Sequence, residues 1–116
     1  MKQNLTSLAY PERVALLAPE ESYLFLLPPP FMTVRKKSQL NKFWLHEYSA
    51  PHMIDFDLVI DIGDFGLGSD APILLDYRDD LLNPRVIRLR WSANKQANKW
   101  VPMADDIRQF IDILGL

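Results

Sequence analysis

The sequence predicts an α+β domain: a twisted, mostly antiparallel sheet with short N-terminal helices and a C-terminal amphipathic helix packed on it. Three observations predict this. Past residue 55, the β-rich runs LVIDI, PILLDYR, RVIRLRW and WVPM follow one another across turn-sized intervals, and strands joined by short turns pair antiparallel. The last thirteen residues, ADDIRQFIDILGL, repeat apolar positions at helical spacing. The length, 116 residues, is that of one domain spanning 1–116, and 48% apolar with 24% charged residues is the balance of a soluble globular chain.

The elements follow in order. In YPERVALLAPEE, Pro11 suits the first turn of a helix, Glu12 favours its dipole and Pro19 ends it, so this helix is short. SYLFLL is a short apolar run with aromatic character and predicts a buried strand, ended by Pro28–Pro30. The proline triplet lies between apolar Leu27 and Phe31, which predicts a rigid connector packed on the domain rather than a docking motif. Leu40, Phe43 and Trp44 stand at i, i+3, i+4, predicting a helix from about Ser38 to Tyr48 with Ser38 as its cap.

The second half carries the clearer strands. Leu58–Ile62 predicts a strand bounded by Gly63, and Pro72–Arg78 predicts the next, with Ile73, Leu75 and Tyr77 on one face. In RVIRLRW, Ile87, Leu89 and Trp91 point one way, toward a core, and Arg88 and Arg90 the other. Those arginines have Asp76 as a cross-strand partner in prospect. In the last helix Ala104, Ile107, Phe110, Ile111 and Leu114 form one stripe, Asp105 and Asp106 favour its start, and Gly115 stands where a left-handed C-cap is wanted.

Composition limits the chemistry. There is no cysteine, so no disulfide and no thiolate ligand or nucleophile. No apolar run approaches a membrane span, and MKQNLTSLAYPERV has no apolar core of a signal peptide, which predicts a cytoplasmic protein. The net charge of −2 gives no reason to expect a nucleic-acid binder. The charge is nevertheless segregated: residues 55–80 hold eight aspartates and one base, and residues 81–100 five bases and no acid. Either the blocks pair into neutral surface, or an acidic rim meets a basic partner.

The stretch DIGDFGLGSDAPILLDYRDD holds three of the chain's four glycines, Gly63, Gly66 and Gly68, among six aspartates. It is not a phosphate loop, because no Lys follows, the glycine spacing is G-x-x-G-x-G, and acids would repel phosphate. Nor does it have the alternating oxygen ligands and terminal Glu of an EF-hand; an irregular cation site from Asp64, Asp70 and Asp76 is the residual option. His46 and His52 each stand apart, and Asp76 with Asp79 is the one carboxylate pair offered for acid–base work. The reading that remains is a turn between strands, whose glycines supply left-handed φ and whose acids are left on its rim.

VIDIGDFGLGSDAPILLDYR, PRVIRLRW and KWVPMADDIRQFIDILGL together resemble the SUKH superfamily of fungal cell-wall-synthesis regulators and bacterial immunity proteins of polymorphic toxin systems. The matching pieces are Gly66, Gly68 and Asp70; Asp76, Tyr77 and Arg78; Pro84, Arg85 and Val86; and Trp100, Val101, Ala104 and Asp105, within residues 56–116. The first half departs from the family's usual opening and looks like a compact variant. The resemblance implies an α+β fold with no enzyme activity and no cofactor, and the loop aspartates are expected to hold no metal. The resemblance also implies a cytoplasmic module that binds and neutralises a cognate toxin domain, often a nuclease; occlusion of the toxin's active site is the expected mode, and an exposed sheet edge would permit a weak homodimer beside the monomer. The alternative within the family is a non-enzymatic regulatory scaffold. A basic nuclease groove would meet the acidic rim, so Asp64, Asp70, Asp79 and Asp80 are the expected partner-binding residues, and Asp76, Tyr77, Arg78, Trp91, Trp100 and Asp105 the fold-determining ones.

Overall fold

The computed structural model describes residues 11–21, 23–27, 30–46, 49–66, 71–93 and 98–115. Its helices are α1 (Pro11–Leu17), α2 (Val34–Leu40) and α3 (Ile107–Leu114), and its strands β1 (Phe25–Leu26), β2 (Met32–Thr33), β3 (Val59–Asp64), β4 (Pro72–Asp76), β5 (Arg85–Arg90) and β6 (Lys99–Ala104). Short 3-10 turns at Lys42–Leu45 and Pro51–Met53 bridge α2 to β3. The six strands form one antiparallel sheet in the order β1-β3-β4-β5-β6, with β2 also on the outer edge of β3. The α+β arrangement expected from the sequence is the one observed.

Both faces of the sheet are covered, so its middle strands are buried on both sides. Pairing sets Leu74 against Ile87, and Leu89 against Trp100. Their face carries α2 and the first 3-10 turn: Trp44 stacks on Trp100 at 6.2 Å, and Trp100 Nε1–H donates to the carbonyl of Ser49 at 2.7 Å. Ser49 in turn donates its hydroxyl to the carbonyl of His46 at 2.7 Å, tying the turn to itself. On the other face α3 packs over β5 and β6 and against α1. Phe110 and Leu114 are its buried residues, while Ile111 is 37% exposed. Asp106 caps α3 by accepting from Gln109 N–H, and Gly115 closes it at φ 79°.

Several expectations are corrected. Arg88 does not face solvent or Asp76; it is 6% exposed, its guanidinium donating to Glu20 Oε2 at 2.8 Å just past α1. Trp91, expected in the core, is on the surface, because β5 ends at Arg90 and the alternation ends with it. The second helix starts earlier than the apolar spacing suggested. Thr33 caps it through Lys36 N–H, and Ser38 is inside it, donating its hydroxyl to the carbonyl of Arg35. Asn41 then breaks it by accepting from Phe43 N–H at 2.9 Å, so Phe43 and Trp44 belong to a 3-10 turn. The N-terminal strand shrinks to Phe25–Leu26, and Pro28 and Pro29 lie outside the described residues.

The glycines of the Asp-rich stretch work differently from the expectation. Gly115 is the glycine with left-handed φ among the described residues. Gly63 lies inside β3, at a bulge in the β3–β4 register, where a Cβ would strike the carbonyl oxygen of Phe25. A Cβ on Gly66 would meet the Phe25 ring at 2.8 Å. At Gly63 the β1 backbone crosses too closely for any side chain, whereas at Gly66 it is the Phe25 ring that would have to shift. Gly68 lies outside the described residues. Gly63→Ala should cost about 1–3 kcal/mol in urea unfolding, since β1 must move off β3 to admit the methyl group; an unchanged midpoint would show that β1 does not sit on this bulge.

Candidate functional site

The antiparallel ladder places the chain's polar chemistry at two ends of the sheet. At one end β3 starts, β4 ends, β5 starts and β6 ends, so residues 55–58, 77–84 and 105–106 gather there. At the other end lie the Asp64 terminus of β3, the start of β4 and the Arg90–Trp91 end of β5. The four expected partner-binding aspartates are therefore not on one rim. Asp79 and Asp80 stand at the first end and Asp64 at the second, separated by the length of β4, roughly 13 Å. Asp70 lies outside the described residues. The same separation divides Asp64 from Asp76, so those two carboxylates share no cation site.

The first end is organised by Asp76, which is 1% exposed. Arg78 reaches it through Nη2 at 3.2 Å and its backbone N–H at 3.1 Å, and Arg85 on β5 through Nη2 at 3.1 Å. Burial alone pushes the Asp76 carboxyl up, but the hydrogen bonds and charges of Arg78 and Arg85 outweigh it and hold the group below its usual value. Asp76 is thus ionised and structural, and its partners are Arg78 and Arg85 rather than Arg88 and Arg90. Beyond it the chain turns. Asp80 Oδ1 accepts from Leu82 N–H at 2.9 Å and from Asn83 N–H at 3.2 Å, forming an Asx turn. Asp79 approaches Arg85 Nε at 3.9 Å and keeps a side chain 78% exposed. Between these acids and Pro84 the turn presents Leu81 at 67% and Leu82 at 95% exposure. The exposed carboxylates of Asp55 and Asp105 lie at the same end.

The second end holds a pocket of about 490 Å³. Met32, Leu40, Phe43, Trp44, Pro72 and Trp91 form its apolar walls, and Lys37, Asn41 and Asp61 its polar part. Phe43 meets Trp44 edge-on at 5.4 Å and Trp91 edge-on at 6.3 Å. Lys37 Nζ lies 2.8 Å from Asp61 Oδ2, and Asp61 also accepts from Gly63 N–H at 3.2 Å, which satisfies the bulge in β3. Asp61 is 6% exposed, and this burial pushes its carboxyl up despite the lysine. Neither the pocket nor the pair was visible in sequence. The pair joins residues 24 positions apart, and the aromatic walls come from two segments far apart in sequence.

No family model, curated protein or solved structure matches this chain. No helix among the described residues is long and apolar enough to cross a membrane.

Two stability outcomes follow from these ion pairs. Lys37→Met leaves a buried carboxylate without its cation and should cost about 2–4 kcal/mol, most of it recovered in Lys37→Met/Asp61→Asn, as read by a urea double-mutant cycle. Asp76 has a lowered folded pKa, so its contribution is complete above the ordinary carboxylate value near about pH 4 and is lost as pH falls below it. Glu20 and Asp57, also lowered by arginine partners, act in the same direction, whereas Asp61, raised, acts in the opposite one. Asp76→Asn should therefore flatten the acid limb of stability against pH; a limb as steep as in the parent chain would remove Asp76 as its source.

Proposed function

We propose that this chain is a protein-binding module, an immunity protein of the SUKH type that neutralises a cognate toxin domain by occluding its active site. The observation that carries this reading is the turn after β4. The turn presents Leu81 and Leu82 side by side to solvent among carboxylates, a small apolar point that a partner's pocket could cover. The turn is held by its own Asx bonds and by the Asp76 clamp, so little ordering entropy would be lost on docking. Aspartates 79 and 80 flank the leucines, which favours a partner with an apolar pocket in a basic surface, as in a nuclease substrate groove. The residue-level resemblance over 56–116 supports the immunity role, and supports equally the absence of enzymatic chemistry in the module. Of the aspartates named from sequence, Asp79 and Asp80 belong to this surface.

The test begins with a tagged capture from the native host and proceeds to the purified partner. One stoichiometric protein with a toxin domain, whose activity is lost at an equimolar ratio of this chain, is the expected outcome. A partner whose activity is untouched, or a set of envelope-synthesis proteins instead, would overturn the immunity role. Within the complex, Leu82→Ser should weaken binding about tenfold or more. Asp79→Lys/Asp80→Asn, which keeps the Asx acceptor, should slow association about tenfold at low salt, with little change in thermal stability.

A further inference from the structure

The pocket at the second end of the sheet lies apart from the turn after β4. Its walls are apolar and partly open: Met32 is 39%, Leu40 70% and Trp91 37% exposed. Apolar side chains left open around a concavity of this size are the usual lining of a small-molecule site, where one or two polar groups fix orientation. Here that group is Lys37. An ammonium has three N–H donors, and Asp61 engages one of them. The lysine side chain is 28% exposed, whereas Asp61 beneath it is 8% exposed. The lysine is the more exposed of the two, so an incoming anion can reach its remaining N–H donors from the pocket. Asp61 accepts the Gly63 N–H on its other oxygen, which fixes the carboxylate beneath the lysine.

We propose that this pocket binds a small aromatic carboxylate, its ring against the Phe43–Trp91 pair and its carboxylate on Lys37 Nζ. Ring-to-ring contact supplies the affinity, edge-on or offset as Phe43 already meets Trp91. The charge-assisted hydrogen bond supplies the selection for an anion.

The test uses indole-3-acetate as the probe, with its neutral isostere indole-3-acetamide as control, followed by amide and indole N–H chemical shifts of the full chain. Indole-3-acetate should shift resonances of Lys37, Phe43 and Trp91 with a Kd of about 1 mM or tighter, the range open to a fragment of about a dozen heavy atoms. It should bind about fivefold more tightly than the acetamide. Trp91→Ala, a surface change, should weaken both compounds. Lys37→Met/Asp61→Asn, which removes the pair together and so protects the fold, should erase the preference for the acid while leaving the acetamide unchanged. Three results would each overturn the proposal: no shifts at these residues, an acetamide that binds as well as the acetate, or a preference that survives loss of Lys37.

Discussion

A carboxylate buried at the end of a central strand has to be compensated where it stands, and Asp76 is compensated by two guanidiniums from different segments. Arg78 comes from the chain just past β4 and Arg85 from the start of β5, so the clamp closes the β4–β5 connection from both sides. Without it, the end of β4 would hold an uncompensated charge under α2's face of the sheet, a cost that β4 could relieve only by fraying. With it, the register of β4 on β5 is pinned at Asp76 opposite Arg85, and everything beyond is set. The exposed leucines stand out from the surface because the chain on either side of them is held by charged hydrogen bonds.

The rest of the sheet follows from having two covered faces. β3, β4 and β5 cannot alternate strictly between apolar and polar residues when both sides are buried, which is why Ile73 and Leu74, or Val86 and Ile87, are adjacent and all buried. The polar residues that remain in these strands must find partners in the covering layers. Arg88 finds Glu20 past α1, and Asp61 finds Lys37 on α2. Each layer is thus joined to the sheet by one ion pair as well as by apolar packing, and Trp100 adds a buried hydrogen bond to the α2 side.

The two ends of the sheet differ because the strands carry different residues at their two termini. Acids cluster where β3 begins and β4 and β6 end. Arg90, Trp91 and Lys99 lie where β5 ends and β6 begins, with Asp64 across the sheet from them. Blocks of charge that are contiguous in sequence are thereby divided in space, and a single acidic rim cannot form from Asp64 through Asp80.

What the sequence determined by itself was local. The α+β class, the C-terminal helix with its Gly115 cap, and the core strands past residue 58 were legible because periodicity and capping act over a few residues. The start of α2 was not, because Thr33 and Asn41 bonded the backbone more strongly than apolar spacing could predict. Nor was the role of Gly63, which depends on how near β1 passes, a distance no local pattern encodes. The tertiary structure alone decided the partners of Asp61, Asp76 and Arg88, the surface position of Trp91, and which aspartates share an end. Those are matters of which strand lies beside which and what covers each face, and they arise only when residues tens of positions apart are brought into contact.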